Sequence, residues 1–191
     1  MPDAARRLNV CCWSRVRLDA STVFWLKLAT TECVEAITKM PMPWTYRHAS
    51  KEWRAFLADV KERMSLESDN MAYTAVDAVL QVFRRRLTAH QGLAFASVLP
   101  AVLRAIFVKD WDVSQPPIPF ADRQALTDEA KQVRVNHNLT PDNAIEATAW
   151  AIRRCTDNRD FERVLGQLPD EATAFWHVDV EDPTELDQRI I

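Results

Sequence analysis

Residues 75–85 read AVDAVLQVFRR, and residues 144–154 read AIEATAWAIRR. Laid over each other with a shift of 69 positions, the two stretches match Ala75 with Ala144, Ala78 with Ala147, and Arg84-Arg85 with Arg153-Arg154. Val76 meets Ile145 and Asp77 meets Glu146, so apolar and acidic places coincide too. In the first stretch and its flanks, Tyr73, Val76, Val79, Leu80, Phe83 and Leu87 fall on one side of a helix. One amphipathic helix occurring twice is the observation from which the fold follows.

The same shift runs without a gap from residue 54 to residue 110. It places Leu57 on Leu126, Asp59 on Asp128, Leu99-Pro100 on Leu168-Pro169 and Ala105 on Ala174, with Ile106 on Phe175 and Phe107 on Trp176. Identity is low, so clustering and shared periodicity carry the signal of an internal repeat. Each half reads as four helices. In the first half, Trp53, Phe56, Leu57, Val60 and Met64 form the opening stripe, with Ser50 as the expected N-cap. Thr88 and Gln91 have capping-box spacing and start a third helix that supplies Leu93, Phe95, Val98 and Leu99. Pro100 suits the first turn of a fourth, where a missing N–H costs nothing.

The second half repeats this order. Thr140-Pro-Asp-Asn143 signals a helix start, Asp157 stands where Thr88 stood, and Pro169 with Asp170 and Glu171 opens the last helix. Trp111 to Phe120, with Pro116, Pro117 and Pro119, reads as a short stiff connector. Ser97 and Gly166 are equivalent in the repeat, and the expected role is a small residue that lets helices approach. A single copy of about 60 residues would bury only about 60% of its unfolded surface, whereas about 150 residues bury nearer 70%. The expectation is therefore one all-α domain, two four-helix halves sharing a core, over residues 40–180, with halves at about 50–112 and 119–180. Residues 181–191 read as a C-terminal tail.

Residues 1–39 have no counterpart in the repeat and hold Cys11, Cys12 and Cys33. They read as an extension, either a tail or an upstream start of the reading frame, with a docking helix around Val23 to Thr38 as the alternative. Met40-Pro-Met-Pro43 restarts the chain.

Composition narrows the function. The chain has 191 residues, 24 basic against 27 acidic side chains, a net charge of -3, and 48% hydrophobic residues, the balance of an ordinary globular protein. Two glycines cannot build a Walker loop, a dinucleotide fingerprint or a nucleophile elbow. A mildly acidic chain argues against general nucleic-acid binding. Lys27, Glu32 and Glu35 interrupt the most apolar early stretch, so no membrane span or signal-peptide core is expected. The fourth cysteine, Cys155, completes no zinc or CxxC spacing with the others, and a reduced, cytoplasmic protein is expected.

From Met40 onward the chain resembles the bacterial family catalogued as domain of unknown function 2267. The resemblance is carried by Tyr46-Arg-His-Ala-Ser50, by Ala75 to Arg85, by Leu99-Pro100 with Phe107 to Trp111, and by Leu168-Pro169. It covers residues 40–178 and implies a duplicated helical domain in a cytosolic bacterial protein. The family has no established activity, so no catalytic residue is carried over. The second half departs from the first where Cys155 and Thr156 stand against Arg86 and Leu87.

Candidate chemistry is sparse. His48, His90, His137 and His177 have no metal-ligand spacing, and Ser50, Ser65, Ser97 and Ser114 sit on no strained glycine turn. No metal, cofactor or catalytic residue is expected. Cys155 beside Arg153 and Arg154 reads as an inert cysteine, against an activated thiol. Arg84, Arg85, Arg86, Arg153 and Arg154 end the second helix of each half. They suit the negative end of a helix dipole, and if the clusters converged they would form an anion site. Phe107, Trp111 and Trp176 read as core, with an exposed partner surface as the alternative. The leading reading is a non-catalytic module that works by binding, either a protein-interaction module with an unidentified protein partner or a stress-associated accessory module. The second is a binder of an anionic small molecule or nucleic acid through the paired arginines, and an enzyme ranks third.

Overall fold

The computed structural model describes residues 42–134 and 140–189, so the readings made for residues 1–39, and for His137, lie outside the described residues. From Pro43 onward the chain forms one compact unit. The described residues form eight α-helices and no strand. They are α1 (Trp44–Met64), α2 (Asp69–Arg84), α3 (Ala89–Val98), α4 (Ala101–Val108), α5 (Arg123–Gln132), α6 (Ala144–Cys155), α7 (Asn158–Leu165) and α8 (Asp170–Phe175), followed by a 3-10 turn, Pro183–Leu186.

Local chemistry explains most of the boundaries. Thr88 and Gln91 make the reciprocal capping box that their spacing predicts, and Asp157 accepts from the N–H groups of Arg159 and Asp160. Pro100 and Pro169 stand immediately before α4 and α8. The expected cap at Ser50 is wrong. Helix α1 starts at Trp44, directly behind Pro43, and Ser50 lies inside it, because no Gly or Pro interrupts residues 44–50. Asn143 precedes α6 without capping it, and its amide donates to Arg63 O instead, at 2.8 Å, tying α6 to the end of α1.

Helix α1 packs on α6, α2 packs on both α5 and α6, α3 packs on α7, and α4 rests on α1, α2 and α3. Adding 69 to the residue numbers makes the C-terminal part of α1 overlap α5, most of α2 overlap α6, and α3 overlap α7. The α1–α6 and α2–α5 contacts therefore exchange, while α2–α6 and α3–α7 each join a helix to its counterpart. The starts Ala89 and Asn158, and likewise Ala101 and Asp170, are spaced by that same shift. Aromatic rings from both halves meet in one core: Phe83 lies 4.8 Å from Phe95 and 5.0 Å from Phe175, and Phe95 stacks on Trp176 at 5.4 Å. Each fully buried ring contributes about 1.5–3 kcal/mol by leaving water. Removing either half would expose the face that the other covers.

Two expectations need correction. Leu93 is not core but 63% exposed. Ser97 and Gly166 are both exposed and mediate no close helix approach, and a Cβ on Gly166 would meet only Glu162 O at an ordinary 3.5 Å. The close approach is at Gly92, where a Cβ would stand 2.1 Å from the Trp111 indole. The described part of the C-terminal tail is docked on α6: Arg154 donates to Glu185 O at 3.1 Å, and the Arg189 N–H donates to Arg154 O at 2.8 Å.

Candidate functional site

Arg84-Arg85-Arg86 is the longest run of like charge in the sequence, and the fold uses most of the arginines that end α2 and α6 internally. Arg84 is buried, and its Nη1 donates to the carbonyls of Phe107 and Lys109 at 2.7 Å each, closing the C-terminal end of α4. Burial, partly offset by the charge of Asp77, holds its guanidinium below the ordinary arginine value. Arg153 repeats the arrangement. Its Nε and Nη2 donate to Trp176 O at 3.3 and 3.2 Å, its Nη1 pairs with Glu162, and the group lies 5.3 Å from the Phe161 ring. Cations at the ends of helices α4 and α8 satisfy carbonyls that would otherwise be orphaned.

Arg85 and Arg86 both reach across to Glu129 on α5. The Arg85 pair spans 3.1 Å, and the buried Arg86 also donates to Val82 O and lies over Phe120. Burial acts to raise the Glu129 carboxyl, but hydrogen bonds and charge from Arg86, then Arg85, outweigh it and hold that carboxyl below the usual range. Arg154 sits 4.5 Å over Trp150 and 3.4 Å from the Asp59 carboxylate of α1, which also binds Arg189.

The two clusters open on different concavities. One, of about 440 Å³, lies at the end of α2 beneath the connector, between Gln81, Arg84, Arg85 and Leu87 on one side and Asp110, Trp111, Asp112, Gln115, Pro116 and Ile118 on the other. The other, of about 540 Å³, holds Arg63, Arg154 and Arg189 opposite Asp59, Glu62 and Glu185, with Trp150 at its wall. Acids match arginines in number in each, so neither is a basic basin. The counter-ions Glu129, Asp59 and Glu162 were not among the sequence candidates. Only tertiary packing brings the first two to the arginines.

Phe107 and Trp176 are fully buried, and Trp111 is half-buried against Gly92. Phe107 and Trp176 cannot form an exposed partner surface, because the ring contacts of the core enclose them, whereas Trp111 packs one side on Phe107 and lines the connector cavity with the other. Cys155 donates to Ile152 O at 3.3 Å. Burial, then the charges of Asp59 and Glu52, push its thiol well above the ordinary value, away from activation. Among the described residues no three His, Cys, Asp or Glu side chains gather as a metal site, and no helix is long and apolar enough to cross a membrane.

Large apolar side chains do reach solvent at the beginning of α1. Trp44 and Tyr46 are 53% and 56% exposed, and Trp44 stacks on His48 at 4.3 Å. The sequence reading placed Tyr46 only in a family pattern and passed over Trp44. A family model described as "Uncharacterized conserved protein (DUF2267)" matches residues 53–175. No curated protein matches the chain.

Proposed function

The chain belongs to the DUF2267 family of uncharacterized conserved proteins, and we propose that it works by binding, as a non-catalytic helical accessory module that docks on another protein. The observation that carries this reading is the exposure of two aromatic side chains, Trp44 and Tyr46, in the first turn of α1, a helix whose later residues Phe56, Leu57, Val60 and Met64 are anchored in the core. Aromatic residues are enriched at interface centres, and a rigid helix presents them at little entropic cost. The partner surface is thus assigned to the start of α1, in place of Phe107, Trp111 and Trp176. A cytoplasmic location in a bacterium belongs to the same reading and rests on the family resemblance. We take the two halves to be copies of one ancestral unit, a reading supported by the matching Arg84–Phe107 and Arg153–Trp176 pairs.

The second reading, an anion or nucleic acid held jointly by both arginine clusters, has less support, since Arg85 and Arg154 line separate concavities. The test is affinity capture with the full chain and with a Trp44→Ala/Tyr46→Ala variant of unchanged melting temperature. A protein captured reproducibly by the first and lost from the second supports the reading. Capture that the double substitution leaves intact overturns it.

A further inference from the structure

Three arginines at the ends of α2 and α6 are buried, and two of them have a carboxylate: Arg86 pairs with Glu129, and Arg153 with Glu162. Arg84 has none. Its two acceptors are neutral carbonyls on Nη1, and Nε and Nη2 find no acceptor among the described residues. Asp77 and Asp110 act on it only at a distance, and the Asp77 carboxylate is bound to Gln81. The 69-residue shift locates what is missing. The position equivalent to Glu162 is Leu93. A buried guanidinium, 7% exposed, is left without the counter-charge that its counterpart has, at the wall of a cavity of about 440 Å³. A buried charge without a paired anion is costly, and an incoming anion would offset that cost.

We propose that this cavity binds a ligand bearing a single carboxylate on an apolar body, the carboxylate held by Arg84 and the body lying along Trp111, Leu87 and Ile118. The unbound edge of a guanidinium presents two parallel N–H groups, the geometry that a carboxylate meets bidentately. The volume lies within the range of small-molecule sites, about 300–1,000 Å³. Polyanions are excluded by charge: Asp110 and Asp112 also line the cavity, and Arg85 is drawn aside by Glu129. The inference goes beyond the partner reading and does not depend on it.

The test titrates the full chain with 3-phenylpropionate, with its neutral amide and with inorganic phosphate, followed by calorimetry. A short peptide ending in a free Phe carboxylate, and its C-terminally amidated form, distinguish a protein C-terminus from a metabolite as the source. Saturable binding of a carboxylate, weakened about tenfold or more in its amide, is expected, because charge-assisted hydrogen bonds are the strong ones. Arg84→Gln should lose that binding. Since it also uncaps α4, the decisive variant is Leu93→Glu, which installs on an exposed site the carboxylate that the second half carries. It should keep or raise the melting temperature and weaken binding by about tenfold through internal competition for Arg84. Absence of saturable binding to either carboxylate by about 5 mM, equal binding of the amides, tighter binding of phosphate, or a folded Leu93→Glu variant that binds as before would each overturn the proposal.

Discussion

Arg84 and Arg153 stand 69 residues apart, and each donates to the main-chain carbonyl 23 residues further on, Arg84 to Phe107 and Arg153 to Trp176. The relation joins the end of the second helix of each half to the end of the fourth. It fixes the fourth helix at the point where its last carbonyls would otherwise be buried without partners. The residues that receive the bonds are themselves core aromatics, so a polar clamp and the aromatic core are built at one place in each half. The cluster is thereby divided by role: Arg84, Arg86 and Arg153 are buried and bonded inside the fold, and Arg85 and Arg154 are only partly covered.

That division predicts unequal costs of substitution. Arg84→Ala and Arg153→Ala should each destabilise by about 2–4 kcal/mol, since charged hydrogen bonds are lost and carbonyls are left unpaired. Arg85→Ala should cost under about 1 kcal/mol, as expected of an exposed ion pair. Urea denaturation of the three variants checks this. Equal losses for Arg84 and Arg85 would show that the carbonyl clamps contribute little.

Gly92 and Trp111 should be energetically coupled. In Gly92→Ala the new methyl would lie 2.1 Å from the indole, so the ring must leave its place. Overpacking of this kind costs about 1–3 kcal/mol, against a helix-propensity gain of about 1 kcal/mol. A net loss is expected. It should reverse when Trp111→Ala is added, because the methyl then meets no ring. Gly166→Ala, with an open contact and a helical φ of -66°, should be neutral or stabilising. A double-mutant cycle on Gly92 and Trp111, read by denaturation, measures the coupling.

Much of this architecture was legible because its determinants are local. The Thr88–Gln91 box, the Asp157 cap and the prolines before α4 and α8 act within one helical turn, and so does the stripe of Val76, Val79, Leu80 and Phe83. Ser50 misled because a good capping residue caps nothing when the helix already runs through it from Pro43. Leu93 misled because the buried stripe of α3 runs through Gly92, Phe95 and Ala96 to Leu99, and a glycine with an indole packed on it does not read as a core position, so the pattern points to its apolar neighbour Leu93 instead. The fate of the arginines was the least legible. Glu129 lies 44 residues from Arg85, and Asp59 lies 95 residues from Arg154, so their pairing depends on how α5 meets α2 and how α1 meets α6. Yet one part was visible in the sequence, since Arg84 with Phe107 and Arg153 with Trp176 align under the same 69-residue shift.

Cys155 should behave as an inert thiol despite the adjacent Arg153 and Arg154. Burial, Asp59 and Glu52 raise its pKa, so the thiolate fraction at neutral pH is negligible. Alkylation by iodoacetamide, followed peptide by peptide by mass spectrometry, should be at least about a hundredfold slower at Cys155 in the native chain than in urea. Comparable rates in the two states would indicate an accessible, activated sulfur.

Glu129 should give the acid side of the stability profile part of its slope. Its folded-state pKa is depressed, the pull of Arg86 and Arg85 exceeding the opposing effect of burial. A group of this kind contributes stability that is fully present above its unfolded pKa, near about 4.3, and lost as pH falls through the folded value. Glu129→Gln should therefore destabilise at pH ~7 by about 1–3 kcal/mol, because the buried Arg86 loses its carboxylate. The difference between wild type and variant should shrink steadily below pH ~4, where the native carboxylate is being protonated. Denaturation midpoints measured across that interval decide the matter. Curves that stay parallel down to pH ~2.5 would mean that the Arg86–Glu129 pair is not linked to protonation, and that the acid limb belongs to other carboxylates such as Asp59.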